Sequence, residues 1–146
     1  MNAFADFTVT EFPTPCVGYV YAIFAVAEDG SETPFYVGET GRFQGRMNDY
    51  RLAGFGAPTD FHVGEAIWCL QTEKKTRVVV KYRRSADEKL DRQKDQDQIL
   101  AQLRGEGYLL LNDLGRYDYR MANKIEELGR VQEFCERLVA TFKKAA

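Results

Sequence analysis

The sequence predicts an α+β fold in which a small three-stranded β-sheet is flanked by helices, in the order β-β-α-α-β-α, with a further helix at the C-terminus. Two observations predict this class. Three short runs, at 17–27, 35–38 and 76–83, are rich in β-branched and aromatic residues and lack helical periodicity, which is typical of strands. Apolar residues elsewhere recur at steps of three and four, which is typical of helices that bury one face.

The first two strands are predicted to form an antiparallel hairpin. The first run reads VGYVYAIFAVA, and the segment EDGSETP after it supplies the Asp, Gly, Ser and Pro that favour turns. The second run, FYVG, follows directly. Two apolar runs joined by a turn of this length most simply pair as a hairpin.

The third strand, TRVVVKYR, has two different faces. The alternation places Val78 and Val80 on one face and, on the other, Arg77, Val79 and Lys81. The strip from Lys74 to Arg84 contains basic residues and no acidic one. Two interpretations of this strip stay open, a solvated strand edge that Lys and Arg protect from edge pairing, or a contact surface for phosphate.

Helices are predicted at 42–52, 61–73, 86–104 and 119–143. Thr40, Asp60 and Ser85 are predicted to cap the first three, because short oxygen-bearing side chains favour helix starts. The last helix has an amphipathic pattern of apolar residues. Trp68, in the second helix, is expected to be packed. The short apolar segment GYLLLN, at 107–112, does not reveal its secondary structure.

Composition and charge exclude several classes of protein. No window of the 146 residues approaches the roughly 18 apolar residues of a membrane span, and the N-terminus does not have the pattern of a secretory signal. A single cytoplasmic domain without membrane contact is therefore expected. The net charge of −2 argues against a uniformly basic nucleic-acid-binding surface. The three cysteines are expected to be reduced, and the lone histidine, His62, to lie at or partly below the surface.

Several short motifs, taken in order, resemble those of the GIY-YIG nuclease family. VYAI in the first strand places Tyr21 at the Tyr of the family's first motif, and YVG places Tyr36 and Gly38 at the second. Arg46 lies ten residues beyond Tyr36, where the family has its arginine. Tyr50 lies four residues further, at a position that is aromatic or His in the family.

The resemblance also covers the later part of the predicted domain. Asn112, at the end of YLLLN, resembles the Asn that closes the family's domain. The match spans residues 17–112 of a single domain at 1–146, which leaves 113–146 as a C-terminal helical extension. An unrelated small α+β domain is the remaining alternative.

The resemblance implies that the protein hydrolyses DNA phosphodiester bonds with the help of Mg²⁺ or Mn²⁺. In that scheme Tyr21 is the general base, Tyr36 positions the water and Tyr50 supports them. A phenol has a pKa near ~10, so it acts as a base at neutral pH only where nearby cations or a metal-bound water favour the phenolate. Arg46 would hold the phosphate, because its guanidinium is a rigid, permanently charged donor. Gly38 and Asn112 are expected to support the site.

The sequence departs from the family at the position of the metal-binding glutamate. Gln96 occupies it, and a neutral amide lacks the charge by which carboxylates hold Mg²⁺. Asp95 or Asp97 takes the role if the alignment is shifted by one residue. Tyr19 also stands where a Gly is usual, and Glu39, where some members carry Lys, either repels phosphate or helps to hold a cation.

Two functions therefore stay open on the basis of sequence. The first is a metal-dependent DNA endonuclease, impaired if Gln96 cannot hold the ion. The second is a non-catalytic nucleic-acid-binding module on the same scaffold. In either case DNA is the expected partner, and its backbone is expected to contact Arg42, Lys81, Arg83 and Arg84. The sequence does not determine the oligomeric state or the preferred DNA structure.

Overall fold

The computed structural model describes residues 2–10, 13–14, 17–51, 58–115 and 124–145, without the side chains of residues 58, 59, 124 and 143–145. The strands of the sheet are β1 (Tyr19–Val26), β2 (Glu32–Thr40) and β3 (Arg77–Arg84). The helices are α1 (Phe43–Arg51), α2 (Pro58–Trp68), α3 (Lys89–Gly105) and α4 (Lys124–Ala145). A π-helical turn, Cys69–Glu73, continues α2, and a 3₁₀ turn, Leu111–Leu114, follows α3.

The three strands form one antiparallel sheet in the order β2-β1-β3. The predicted α+β class and the predicted hairpin are confirmed. Tyr21 of β1 is paired with Gly38 of β2 on one side and with Tyr82 of β3 on the other. All eight residues of β1 are buried, because helices cover both faces of the central strand.

Alternation along β1 separates two hydrophobic clusters. Tyr19, Tyr21, Ile23 and Ala25 point into the first cluster, with residues of α1, α2 and α4. The residues between them point into the second cluster, which α3 covers together with Phe4 and Phe7 of the N-terminal segment. The predicted faces of β3 are also correct, because Val78 and Val80 pack against the first cluster.

Asn112 protects the outer edge of β2. Its amide oxygen accepts a hydrogen bond from the N–H of Val37 at 3.0 Å, and its amide nitrogen donates to the carbonyl of Val37 at 2.8 Å. These are the two backbone groups through which another strand would pair, so the amide takes the place of a neighbouring strand. The segment GYLLLN therefore ends in the 3₁₀ turn that carries Asn112.

Several predicted helix starts are wrong. Asp60 is the third residue of α2, because the helix begins at Pro58. Ser85 precedes the N-cap of α3, Glu88, and donates to Asp95 at 2.8 Å instead. Thr40 does accept the N–H of Arg42 at 3.0 Å, just before α1 begins. The predicted positions 52 and 119–123 lie outside the described residues.

Two expectations of burial are also wrong, and one expectation about cysteines is met in part. His62 is buried, beside the carboxylate of Glu127 on α4, and Trp68 is 54% exposed. Cys69 and Cys135 are free thiols, and Cys16 lies outside the described residues. Among the described helices, none has the length and the apolar character that crossing a bilayer requires.

Candidate functional site

Three tyrosines from three different elements meet on the first face of the sheet. Tyr21 comes from β1, Tyr36 from β2 and Tyr50 from α1. Their ring centroids lie 6.3 to 6.4 Å apart, and each residue is at most 7% exposed. The hydroxyls of Tyr21 and Tyr50 share a hydrogen bond. The resemblance placed these residues in one site, and the structure brings them together.

Gly38 makes room for this cluster. A Cβ atom at Gly38 would lie 2.4 Å from both the Cζ and the Oη atoms of Tyr21, the residue with which it pairs across the sheet. The ring of Tyr21 therefore occupies the space of the missing side chain. The glycine is required by this close approach of the ring, not by an unusual backbone angle.

Arg46 brings a positive charge into the tyrosine cluster. It lies one turn before Tyr50 on α1, and its guanidinium carbon is 4.8 Å from the centroid of the Tyr50 ring. The charge of Arg46 also acts on Tyr21 and Tyr36, because it opposes the rise in the pKa of each phenol. Its side chain is 23% exposed, so solvent reaches the arginine while the three rings stay buried.

Two carboxylates contact Arg46 at the same nitrogen. The Oδ1 atom of Asp60 lies 2.5 Å from Nη1, and the Oδ2 atom of Asp49 lies 3.6 Å from it. The Asp60 side chain is only 9% exposed. Asp49 also accepts a hydrogen bond from Arg42 at 2.9 Å. Two arginines and two aspartates therefore balance their charges beside the tyrosines.

Burial determines the ionisation of the three phenols. Burial raises the pKa of Tyr21, and the neighbouring Tyr36 raises it further, while the hydrogen bond with Tyr50 and the charge of Arg46 only partly oppose this. Burial likewise raises the pKa of Tyr36 and of Tyr50. Each phenol is therefore neutral at physiological pH. A neutral phenol can donate or accept a hydrogen bond, but it is a poor proton acceptor.

Arg46 remains charged in this environment. Burial alone would lower the pKa of its guanidinium, but Tyr50, Tyr21 and Asp60 together raise it above its usual value. The site therefore combines one permanent cation with three neutral hydroxyls. This combination is suited to the oxygen atoms of an anion.

Gln96 and the aspartates near it make other contacts. Gln96 belongs to α3, which covers the second face of the sheet, and its amide nitrogen donates to the carbonyl of Val37 at 3.5 Å. Asp95 accepts two hydrogen bonds from Arg83, at 2.7 and 2.9 Å, and one from Ser85. Burial opposes ionisation of Asp95, but these hydrogen bonds prevail and lower its pKa.

The side chains around the tyrosines do not fit a resident Mg²⁺ or Mn²⁺. Such ions favour several oxygen ligands, carboxylates above all. Here Asp60 and Asp49 already contact arginines, and the Glu position holds a neutral amide. Within the described part of the chain, no group of three or more His, Cys, Asp or Glu side chains is arranged to hold a metal.

Two other departures from the family pattern have structural roles. The Tyr19 hydroxyl accepts the backbone N–H of Thr14 at 2.8 Å. Glu39 forms a largely buried ion pair with Arg92 of α3, at 2.8 Å. Because this carboxylate is already neutralised, Glu39 is bound to a protein cation rather than presented to a ligand.

The residues predicted to contact DNA lie in different parts of the surface. Arg42 is 67% exposed and is joined to Arg46 through Asp49. Lys81 and Arg83 lie on the second face of the sheet, where they pair with Glu32 at 2.6 Å and with Asp95. Arg84 is exposed at the end of β3. Of these four, only Arg42 belongs to the surroundings of the tyrosine cluster.

The structure adds Asp60 and Asp49 to the site. Sequence reasoning interpreted Asp60 as a helix cap and assigned no role to Asp49. The spacing of Arg46 and Asp49, three residues apart on a helix, could have indicated that Asp49 contacts Arg46. Asp60 gave no such signal, because its contact with Arg46 depends on how α1 and α2 pack.

Comparisons of the chain with protein-family models, with curated proteins and with solved structures found no match. The resemblance to GIY-YIG nucleases therefore rests on the motifs and on their arrangement. Membership of that family stays a prediction.

We expect Gly38→Ala to destabilise the protein by about 1–3 kcal/mol, because the added methyl group overlaps the Tyr21 ring. Chemical denaturation followed by circular dichroism measures this loss. Gly105→Ala is the matched control, because a Cβ atom there meets nothing within 4 Å and the residue ends a helix. Equal stabilities of the two variants would contradict the close approach.

We expect the free energy of unfolding to fall as the pH rises above about 10, because the phenols ionise in the unfolded chain while the folded protein keeps them protonated. Each such phenol contributes a slope of up to about −1.4 kcal/mol per pH unit. Denaturation between pH 8 and 11 should show a shallower fall for Tyr50→Phe than for Tyr108→Phe, which alters an exposed tyrosine. Identical slopes would show that Tyr50 ionises normally.

Proposed function

We propose that this protein binds DNA through its phosphodiester backbone, with Arg46, held among the three buried tyrosines, as the contact site. One observation carries the proposal. A permanently charged guanidinium, 23% exposed, stands among three buried phenols that are neutral at physiological pH. The motif resemblance to DNA nucleases suggests which polymer supplies the anion.

The chemistry of the cluster matches a phosphodiester group. Phosphate oxygens accept hydrogen bonds, and a guanidinium offers several N–H donors in a planar fork. The neutral phenols around the guanidinium are buried and add no negative charge that would repel the ligand. The contact between Arg46 and the Tyr50 ring restrains the guanidinium before it meets a ligand, which reduces the entropy lost on binding.

The charge of the protein limits the mode of binding. The net charge of −2 argues against the uniformly basic surface that gives strong non-specific association. Among the four predicted DNA contacts, Lys81 and Arg83 are ion-paired on the second face. Binding is therefore expected to depend on a few phosphate contacts near α1, with a modest salt dependence.

The test compares Arg46→Gln with Arg104→Gln in binding to fluorescein-labelled duplex and branched DNA at about 50 mM salt. Both changes remove one positive charge, but Arg104 is an exposed arginine of α3 that pairs with Asp113. We expect Arg46→Gln to weaken binding by about tenfold or more and to reduce the salt slope by about one, the value of one lost phosphate contact. Arg104→Gln should change the affinity by less than about threefold.

Circular dichroism and thermal unfolding should first establish that both variants are folded, because loss of Arg46 leaves Asp60 buried without its cation. Equal affinities of the wild-type protein and folded Arg46→Gln would refute the proposed contact. Absence of DNA binding by the wild-type protein would refute the function itself.

Metal-dependent DNA cleavage is the second candidate function. The observation in its favour is that Tyr21, Tyr36, Arg46 and Tyr50, the residues to which the resemblance assigns catalysis, lie together. Two observations oppose it. The pKa of Tyr21 is raised rather than lowered, and the Glu position holds Gln96.

Incubation of the wild-type protein and of Gln96→Glu with supercoiled DNA and Mg²⁺ or Mn²⁺ separates these functions. Under the binding proposal neither form nicks the plasmid. Nicking that appears in Gln96→Glu and disappears when Tyr21→Phe is added would instead assign a nuclease scaffold that lacks its metal ligand. Nicking by the wild-type protein that is lost on Tyr21→Phe would make cleavage its function.

A further inference from the structure

Asp60 is placed to control which anions Arg46 can accept. Its carboxylate lies 2.5 Å from Nη1 of Arg46, and its side chain is 9% exposed. Asp49 contacts the same nitrogen at the longer distance of 3.6 Å and is shared with Arg42. Asp60 is therefore the nearest carboxylate to the Arg46 guanidinium among the ion pairs of the described residues.

The contact between Asp60 and Arg46 is one of charge rather than of hydrogen-bond geometry. The Oδ1 atom of Asp60 is buried and has no aligned hydrogen-bond donor among the described residues. A carboxylate that is held mainly by its charge acts on its surroundings through its electric field. In a partly buried site this field is screened less than it is in water. Any anion that approaches Arg46 is repelled by the same carboxylate.

We propose that Asp60 shifts the selectivity of the Arg46 site towards a monoanionic phosphodiester and away from a dianionic phosphate group. This inference rests on the proposed function. The repulsion grows in proportion to the charge of the ligand, so Asp60 opposes a dianion about twice as strongly, in energy, as a monoanion. A phosphodiester within a DNA strand carries one negative charge, whereas a terminal phosphate carries about 1.5 to 2 at pH 7.

This selectivity limits the affinity of the site for its own ligand. Asp60 helps to hold the Arg46 side chain in place, but its repulsion also weakens the binding of a phosphodiester. Removal of the Asp60 charge should therefore strengthen binding while it destabilises the fold, because Arg46 then loses its nearest counter-ion. A purely structural role for Asp60 predicts the opposite effect on binding.

The test uses Asp60→Asn, which keeps the shape of the side chain and an oxygen acceptor. We expect it to bind labelled duplex DNA about tenfold more tightly than the wild-type protein does. Asp113→Asn is the matched control, because it also removes a carboxylate from an arginine, the exposed Arg104. Asp60→Glu, which restores the charge, should return the affinity to within about threefold of wild type.

Selectivity is measured by competition against the labelled duplex at pH 8 with dimethyl phosphate, a monoanion, and methyl phosphate, a dianion. Asp60→Asn should gain about tenfold in affinity for dimethyl phosphate and about a hundredfold for methyl phosphate, so the ratio of the two shifts by about tenfold. Asp60→Ser, which also lacks the charge, should shift the ratio in the same direction and replaces Asp60→Asn if that variant does not fold.

The outcomes distinguish this inference from the proposed function. If DNA binding depends on Arg46 but Asp60→Asn binds no more tightly than Asp113→Asn, the role of Asp60 is refuted and the function stands. An unchanged ratio of the two phosphates likewise refutes the selectivity. If the gain persists in Asp60→Asn combined with Arg46→Gln, the carboxylate acts elsewhere. If Arg46→Gln alone binds as the wild-type protein does, the proposed function fails, and this inference fails with it.

Discussion

The positive charge of Arg46 constrains the arrangement of the whole candidate site. A guanidinium stays protonated in a protein. When it packs among aromatic rings, it therefore needs oxygen atoms as hydrogen-bond acceptors and a negatively charged partner. The phenols of Tyr21 and Tyr36 supply the first and Asp60 supplies the second. One ion pair therefore links α1, which carries the arginine, to α2, which carries the aspartate, beneath the sheet that carries the tyrosines.

The alternation of side chains along β-strands explains why part of this site could be predicted. Tyr21 pairs with Gly38 and Ile23 pairs with Tyr36, so in the observed register of the predicted hairpin both tyrosines point to the same face. The helical spacing of Arg46 and Tyr50 places them together in the same way. The irregularity at Phe35, which turns that ring into the same cluster as Tyr36, could not be foreseen, because it depends on a shift of register within β2.

The errors about Asp60 and His62 share one physical cause. Asp60 resembled a cap because helix starts favour aspartate, but its partner is Arg46 on a different helix. His62 lies one turn before Ala66 and so on the buried side of α2, where its partner is Glu127, 65 residues away in sequence. The burial and pairing of a polar side chain depend on partners that only the packing of helices brings near. A repeated apolar pattern, by contrast, indicates the buried face of a helix from the local sequence.

The 3₁₀ turn at the end of GYLLLN shows the same dependence on distant contacts. Its leucines are apolar enough for a strand or a helix, and local propensity does not choose between them. The choice follows from Asn112, whose amide must lie level with the backbone of Val37 to satisfy both its N–H and its carbonyl. The conformation of GYLLLN is therefore determined by the contact of Asn112 with the edge strand β2 and not by the local propensity of the segment.

Recognition and hydrolysis of a phosphodiester make opposite demands on the same phenols. A general base works best when its pKa lies near the working pH, and only nearby positive charge can bring a phenol that far down. Arg46 is the cation in contact with the phenols, and Asp60 offsets its charge. The neutral Gln96 amide adds no positive charge, and it hydrogen-bonds to the backbone of β2. The proposed binding, by contrast, places no such demand on the phenols, which stay protonated around Arg46. The proposed recognition therefore requires only that a phosphodiester reaches the partly exposed Arg46, whereas hydrolysis would also require another cation beside Tyr21.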